Sequence, residues 1–118
     1  MKRVVLVATD ANERALIAAQ LQEELACAVA SAANADGALT LLVVRAALVI
    51  VDLRGLDGER WEKLRAAARG SPLLVLASRA GSAVVALRED ARVMYRPFTI
   101  GDVVARAREM LEEKSQNA

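Results

Sequence analysis

A series of short apolar runs, separated by segments of helical spacing, most constrains what this chain can fold into. The runs Ala47–Asp52 and Leu73–Ser78 are nearly continuous in Val, Leu and Ile and do not alternate with polar residues. Strands buried on both faces have this pattern, because helices cover both sides of a parallel sheet. The five runs are Arg3–Thr9, Cys27–Ala32, Ala47–Asp52, Leu73–Ser78 and Arg92–Arg96.

Helical patterns follow each of these runs. The predicted helices span Asn12–Leu25, Ala35–Val44, Gly58–Arg69, Ser82–Asp90 and Thr99–Lys114. In the first of them, Leu16, Ala19 and Leu21 are expected to share an apolar face directed at the core. Alternation of strand and helix predicts one α/β domain over residues 1–118, a five-stranded parallel sheet with helices on both faces. Residues 115–118 are expected to fray.

Two helices carry capping signals. Asp10 with Glu13, and Thr99 with Asp102, have the spacing of a capping box, in which each side chain accepts a hydrogen bond from the backbone N–H of the other residue.

Composition narrows the function classes. Hydrophobic residues make up 55% of the 118, but the formal charge is only +1, so we expect no extended basic surface and no DNA contact. No apolar segment approaches the roughly 18 residues of a membrane span, and we expect no membrane contact. Cys27, the single cysteine, cannot form an internal disulfide, is expected to be buried, and favours a cytoplasmic location. The absence of histidine excludes histidine-based catalysis.

Polar residues follow the predicted strands at their carboxyl ends, where parallel sheets collect their ligand sites. These residues are Thr9, Asp10, Asp52, Ser78 and Arg96. Two converging carboxylates repel each other and favour a divalent cation such as Mg²⁺, which takes oxygen ligands and retains waters. A hydroxyl and a fixed cation opposite them would hold phosphoryl oxygens.

Each member of this set also has a purely structural interpretation. Asp10 suits the N-cap of the first helix, and Asp52 suits the start of the turn before Asp57. Ser78 stands at a strand end, where small polar residues are common, and Arg96 stands at a turn before proline. The sequence leaves both interpretations open.

The chain resembles the receiver domain of response regulators in two-component signalling. The similarity is carried by four segments in the family's order, VATDANERA, LVIVDLRGLDG, LVLASRAG and YRPFTIGDVV. The resemblance implies a flavodoxin-like (CheY-like) doubly wound fold with strand order 2-1-3-4-5. It implies that Asp52 accepts a phosphoryl group from a histidine kinase, that Asp10 and Asp52 hold Mg²⁺, that Ser78 is the switch hydroxyl, and that Arg96 replaces the family's lysine.

The sequence departs from the family's pattern at several of these positions. Thr9 stands where receivers carry a further acid, so Mg²⁺ binding is expected to be weak. The loop after Asp52 is about two residues tighter than usual, and the span from Ser78 to Arg96 predicts a shortened fourth helix. Val93 stands in place of the switch aromatic. The chain is therefore expected to be an atypical or degenerate member of the family.

Three function classes follow. The first is a non-enzymatic phosphoacceptor that signals to other proteins. The second is a phosphorylation-independent interaction or dimerisation module. Its candidate surface is the stripe on the last helix, although core packing is the favoured role of that stripe, which comprises Val103, Val104, Ala107 and Leu111. A nucleotide-binding enzyme is disfavoured, since TDANER after the first strand offers no glycine-rich phosphate loop.

Overall fold

Five parallel strands form one sheet in the order β2-β1-β3-β4-β5, as the sequence predicts. The computed structural model describes residues 1–78 and 91–116, with side chains as far as residue 113. The strands are β1 (Arg3–Val7), β2 (Ala28–Ala32), β3 (Leu48–Asp52), β4 (Leu73–Ala77) and β5 (Ala91–Tyr95). The helices are α1 (Ala11–Leu25), α2 (Ala35–Leu41), α3 (Gly58–Ala67) and α4 (Ile100–Gln116). The helix predicted over Ser82–Asp90 lies outside the described residues.

Helices cover both faces of the sheet. Side chains alternate in direction along a strand, so Val4 and Leu6 pack against α1 and α4, whereas Val5 and Val7 pack against α2 and α3. All five residues of β3 and of β4 are buried. The continuous apolar runs of these strands are explained by burial on both faces.

Helix α1 differs from the prediction in the face it buries. Ile17 and Leu21 are fully buried, but Leu16 is 59% exposed and Ala19 is also exposed. Because Ile17 and Leu21 lie one turn apart on the buried side, Leu16 and Ala19 are rotated away from the sheet. The assignment of Leu21 is confirmed and that of Leu16 and Ala19 is wrong.

Helix α2 ends at Leu41, three residues before the predicted end at Val44. The guanidinium of Arg3 donates to the carbonyl oxygens of Leu41 and Val44, at 2.8 and 2.9 Å, and so binds the carbonyl end of the shorter helix and the turn that follows it. Val43 and Val44 are left 85% and 60% exposed. Their apolar character therefore did not signal burial.

The apolar stripe of α4 belongs to the core, which confirms the favoured interpretation. Its four residues, Val103, Val104, Ala107 and Leu111, are all buried. At the start of α4 the capping box is complete, since Thr99 N–H donates to Asp102 and Asp102 N–H donates to Thr99, at 2.9 and 3.0 Å. The helix continues to Gln116, two residues past its predicted end.

Cys27 is buried, as predicted, and burial raises the pKa of its thiol. No helix in the described ranges combines the length and the apolar character needed to cross a bilayer.

Candidate functional site

Asp52 is the last residue of β3 and is only 2% exposed. Its Oδ1 atom accepts a hydrogen bond from the backbone N–H of Arg54 at 2.9 Å, which fixes a tight turn directly after the strand. The cap of α3 is Asp57, whose carboxylate accepts from the N–H of Arg60 at 2.8 Å. Asp52 therefore does not cap the next helix, and its Oδ2 atom faces the carboxyl edge of the sheet.

The side chain of Arg54 folds back onto this carboxylate. Its Nε and Nη2 atoms donate to Oδ2 of Asp52 at 3.0 and 2.7 Å. The same Nη2 atom lies 3.1 Å from Oε1 of Glu13, on α1. A single nitrogen thus joins carboxylates from two elements of the fold.

Arg96, which follows β5, makes the matching pair of contacts. Its Nη2 atom donates to Oδ2 of Asp52 at 2.6 Å and to Oε1 of Glu13 at 2.8 Å. Its Nη1 atom lies 3.2 Å from Oε2 of Glu13. The guanidinium also lies over the ring of Phe98, 4.6 Å from its centre, which adds a cation–π contact.

These contacts close a ring in which oxygen and nitrogen alternate. Oδ2 of Asp52 and Oε1 of Glu13 each contact the Nη2 atoms of both Arg54 and Arg96. We call these four residues the ion cluster. Its two carboxylates and two guanidiniums carry balancing charges, so the end of β3 is not an open acidic pocket.

Burial of the Asp52 carboxyl by itself raises its pKa. Hydrogen bonds from the side chain and backbone of Arg54, and the positive charges of Arg54 and Arg96, outweigh that effect, so the pKa lies below its ordinary value. Hydrogen bonding to Asp52 raises the pKa of Arg54, and hydrogen bonding to Glu13 raises that of Arg96. All three groups are therefore charged at neutral pH.

The loop that carries Arg54 is held by Thr9. The Thr9 hydroxyl donates to the carbonyl oxygen of Arg54 at 3.0 Å. The next residue, Gly55, has φ +80, and a Cβ atom there would lie 3.1 Å from the Thr9 hydroxyl oxygen. A side chain at position 55 would meet both backbone strain and a steric contact. Thr9, where the family carries an acid, thus supports the loop.

The other two predicted site residues have different surroundings. Asp10 is exposed, and its Oδ1 atom accepts from the N–H of Glu13 at 2.8 Å, so it caps α1. The capping box forms in one direction only, because the Glu13 carboxylate points to the two arginines instead. Ser78 directly follows β4 at the carboxyl edge of the sheet and is exposed.

Solved structures with this fold include several receiver domains. A CheY-like receiver domain protein from Methanospirillum hungatei JF-1 superimposes with a TM-score of 0.74 at 20% identity, covering 100% of this chain and 99% of that one. The chain has the receiver fold. A receiver-modulated diguanylate cyclase from Pelobacter carbinolicus gives a TM-score of 0.76 at 23% identity, with 99% and 97% of the chains covered. An adenylate cyclase from Rhodopirellula baltica gives 0.80 at 21% identity, with 98% and 90% covered. The sequence matches no protein-family model and no curated protein.

The ion cluster does not fit the Mg²⁺ that the receiver fold implies. Across residues 1–78 and 91–116, no group of three or more Asp, Glu, Cys or His side chains is placed to hold a metal ion. Oδ2 of Asp52 already accepts from two guanidiniums at 2.7 and 2.6 Å. A divalent cation approaching this oxygen would meet two positive charges and would have to displace at least one of them.

Sequence reasoning placed Asp52 and Arg96 at the same edge of the sheet, and the structure brings them into contact. It missed Arg54, and it assigned Glu13 only to the helix cap. The available signal for Arg54 was its position two residues after Asp52 in a tight loop, where a long side chain can turn back onto the strand end. The signal for Glu13 was its place in the first turn of α1, above that same edge.

Proposed function

We propose that this chain is a signalling domain of receiver fold that acts through protein contacts without phosphorylation of Asp52. One observation carries the proposal: Oδ2 of Asp52 contacts the Nη2 atoms of Arg54 and Arg96. Phosphoryl transfer to an aspartate requires a carboxylate oxygen that is free to approach the phosphorus atom. Here that oxygen accepts hydrogen bonds from the guanidiniums of both arginines.

The energetic cost of freeing Asp52 supports this proposal. A hydrogen bond to a charged group contributes about 1.5–3 kcal/mol, and the Asp52 carboxylate accepts several of them. Loss of the Arg54 side-chain contacts would leave this buried carboxylate with Arg96 as its one cationic partner among the described residues. The charge balance of the ion cluster thus favours the arrangement in which Arg54 remains in contact with Asp52.

A phosphoacceptor function is the second candidate, and the exposure of Arg54 favours it. The Arg54 side chain is 46% exposed, whereas that of Arg96 is 24% exposed. Arg54 therefore lies at the mouth of the pocket and has room to swing into solvent. In that case Asp52 would attack a phosphohistidine of a sensor kinase: the O–P bond forms as the N–P bond breaks, and the imidazole leaves.

A small-molecule phosphodonor separates the two functions. We would incubate the wild-type chain, Asp52→Asn and Arg54→Ala with acetyl phosphate and Mg²⁺, and record intact masses. A receiver of established phosphorylation serves as the positive control for the donor. The proposal expects no phosphoryl adduct on the wild type. An adduct on the wild type that Asp52→Asn abolishes would establish the phosphoacceptor instead.

The proposed partners are signalling proteins, namely a sensor histidine kinase, another regulator or a second copy of the chain, in the cytoplasm. Burial of the α4 stripe argues against that stripe as the contact surface. Mass measured by light scattering over a range of protein concentrations tests self-association. A mass that rises with concentration supports a homodimer, and a constant monomer mass favours a different partner.

A further inference from the structure

The position of one nitrogen atom, Nη2 of Arg54, indicates what this residue contributes to the proposed function. Nη2 of Arg54 lies between Oδ2 of Asp52 and Oε1 of Glu13, at 2.7 and 3.1 Å. The two carboxylates come from β3 and α1, which are separate elements in the sequence and are brought together by folding. Two carboxylate oxygens that share one nitrogen as a hydrogen-bond partner lie close together, and they repel each other unless a positive charge stands between them.

Arg54 is held in place to supply that charge. The backbone N–H of Arg54 donates to Asp52, its carbonyl oxygen accepts from Thr9, and its side chain then reaches both carboxylates. Asp10, at the start of α1, lies close enough for its charge to raise the pKa of Arg54 further. Three acidic side chains thus act on this one guanidinium.

Arg96 cannot take over the same role alone. It contacts the same two oxygens but comes from the β5 side, and its guanidinium is partly covered by Phe98. Without Arg54, the carboxylates of Asp52 and Glu13 would keep Arg96 as their one cationic contact among the described residues, and the mouth of the pocket would be open to water. Mg²⁺ and Mn²⁺ are bound through one or two carboxylates together with several waters, so Asp52 and Glu13 would suffice as protein ligands.

We propose that Arg54 is the resident cation of this pocket and that its removal uncovers a divalent-cation site formed by Asp52 and Glu13. This inference rests on the proposed function, because both require the Arg54 guanidinium to remain hydrogen-bonded to the Asp52 carboxylate. It explains how a receiver fold that lacks the family's first acid keeps its acidic edge compensated without a metal ion.

Mn²⁺ binding, followed by the electron paramagnetic resonance signal of the free ion, tests the inference. The proteins are the wild type, Arg54→Gln, Arg54→Ala, Arg54→Lys and the double variant Arg54→Ala with Asp52→Asn. Loss of one positive charge within about 4 Å of the ligands should tighten Mn²⁺ binding by at least about tenfold in Arg54→Ala and Arg54→Gln. Arg54→Lys, which retains the charge, and the double variant, which lacks the ligand, should bind no better than the wild type.

Thermal unfolding with and without Mn²⁺ gives a second readout. The ion should raise the Tm of Arg54→Ala and Arg54→Gln and leave that of the wild type unchanged, because a ligand stabilises only the folded state that binds it. Wild-type binding as tight as that of the folded variants would overturn the inference, and so would an absence of any gain in both variants.

The two proposals fail in distinguishable ways. Phosphorylation of wild-type Asp52 would overturn the proposed function. If no phosphorylation occurs and neither Arg54 variant gains Mn²⁺ affinity, the proposed function stands and only the role of Arg54 as a cation substitute is refuted.

Discussion

The Nη2 atom of Arg96, just after β5, lies 2.6 Å from Oδ2 of Asp52, the last residue of β3. β4 separates these strands: Asp52 pairs with Leu76, and Leu76 pairs with Met94. The contact therefore crosses the end of β4 and requires a long side chain. The guanidinium of Arg96 also donates to Glu13 on α1. One side chain thus links the end of β5 to β3 and to α1.

Replacement of Arg96 should destabilise the fold, and the loss of stability should increase with the number of guanidinium contacts that the new side chain cannot make. Arg96→Lys keeps the charge but cannot hold Asp52 and Glu13 in the same planar geometry, and we expect a loss of about 1 kcal/mol in the free energy of unfolding. Arg96→Met removes the charge, and we expect a loss of about 2 kcal/mol, below the range for fully buried pairs because Arg54 remains. Urea unfolding measures both. Equal stability of Arg96→Met and the wild type would refute this role.

Glu13 offers a comparison between a cluster carboxylate and a surface one. Its side chain is 20% exposed and contacts both arginines, whereas Glu59 is 79% exposed and pairs with Lys63 on the helix surface. Glu13→Gln should cost about 1–2 kcal/mol, because it weakens charged hydrogen bonds within the ion cluster. Glu59→Gln should cost about 0.5 kcal/mol or less. Equal losses in parallel urea titrations would contradict the distinction.

Gly55 and Gly58 form a matched pair for the loop after Asp52. Gly55 has φ +80 and a close approach to Thr9, whereas a Cβ atom at Gly58 meets nothing within 4 Å. Gly55→Ala should lower the free energy of unfolding by about 1–2 kcal/mol, owing to left-handed backbone strain.

Gly58→Ala is the control, and we expect it to be neutral or slightly stabilising, because Gly58 begins α3 and alanine favours helix. Thermal unfolding followed by circular dichroism compares the two variants. A Gly55→Ala variant as stable as Gly58→Ala would show that the loop does not depend on this glycine.

The depressed pKa of Asp52 predicts a specific pH dependence. A carboxyl group whose pKa is lower in the folded than in the unfolded state stabilises the fold fully above its unfolded pKa, and this stabilisation is lost as the pH falls through the folded pKa. Wild-type stability should therefore fall more steeply than that of Asp52→Asn on acidification below about pH 4. Urea midpoints from pH 7 to pH 2 test this, and parallel curves for the two proteins would contradict it.

The sheet could be predicted from the sequence because buried parallel strands carry a direct signal. The runs around Ile50 and Val75 are too apolar for a strand with a solvent face. Helix limits were less predictable. Val43 and Val44 continue the apolar pattern of α2, but contacts from Arg3, 38 and 41 positions away in the chain, favour an earlier end.

The candidate site was predictable in position but not in its pairing. The ends of parallel strands meet at one edge, so Asp52 and Arg96 were placed together. The partners of a side chain depend on rotamers and on distant neighbours, and the contact between Arg54 and Glu13 joins residues 41 positions apart. No spacing in the sequence encodes that contact, and for this reason the ion cluster was missed.

An amide NMR titration with Mg²⁺ and then with beryllofluoride, a mimic of the phosphoryl group on aspartate, tests most directly whether Asp52 is available as an acceptor. Asp52→Asn, which lacks the acceptor carboxylate, is the control. With Asp52 held by Arg54 and Arg96, we expect no saturable shift at Glu13, Asp52 or Arg54 in millimolar Mg²⁺, with or without beryllofluoride. Saturable shifts at these residues in the wild type, absent from Asp52→Asn, would show that the pocket opens and that Asp52 is a working acceptor.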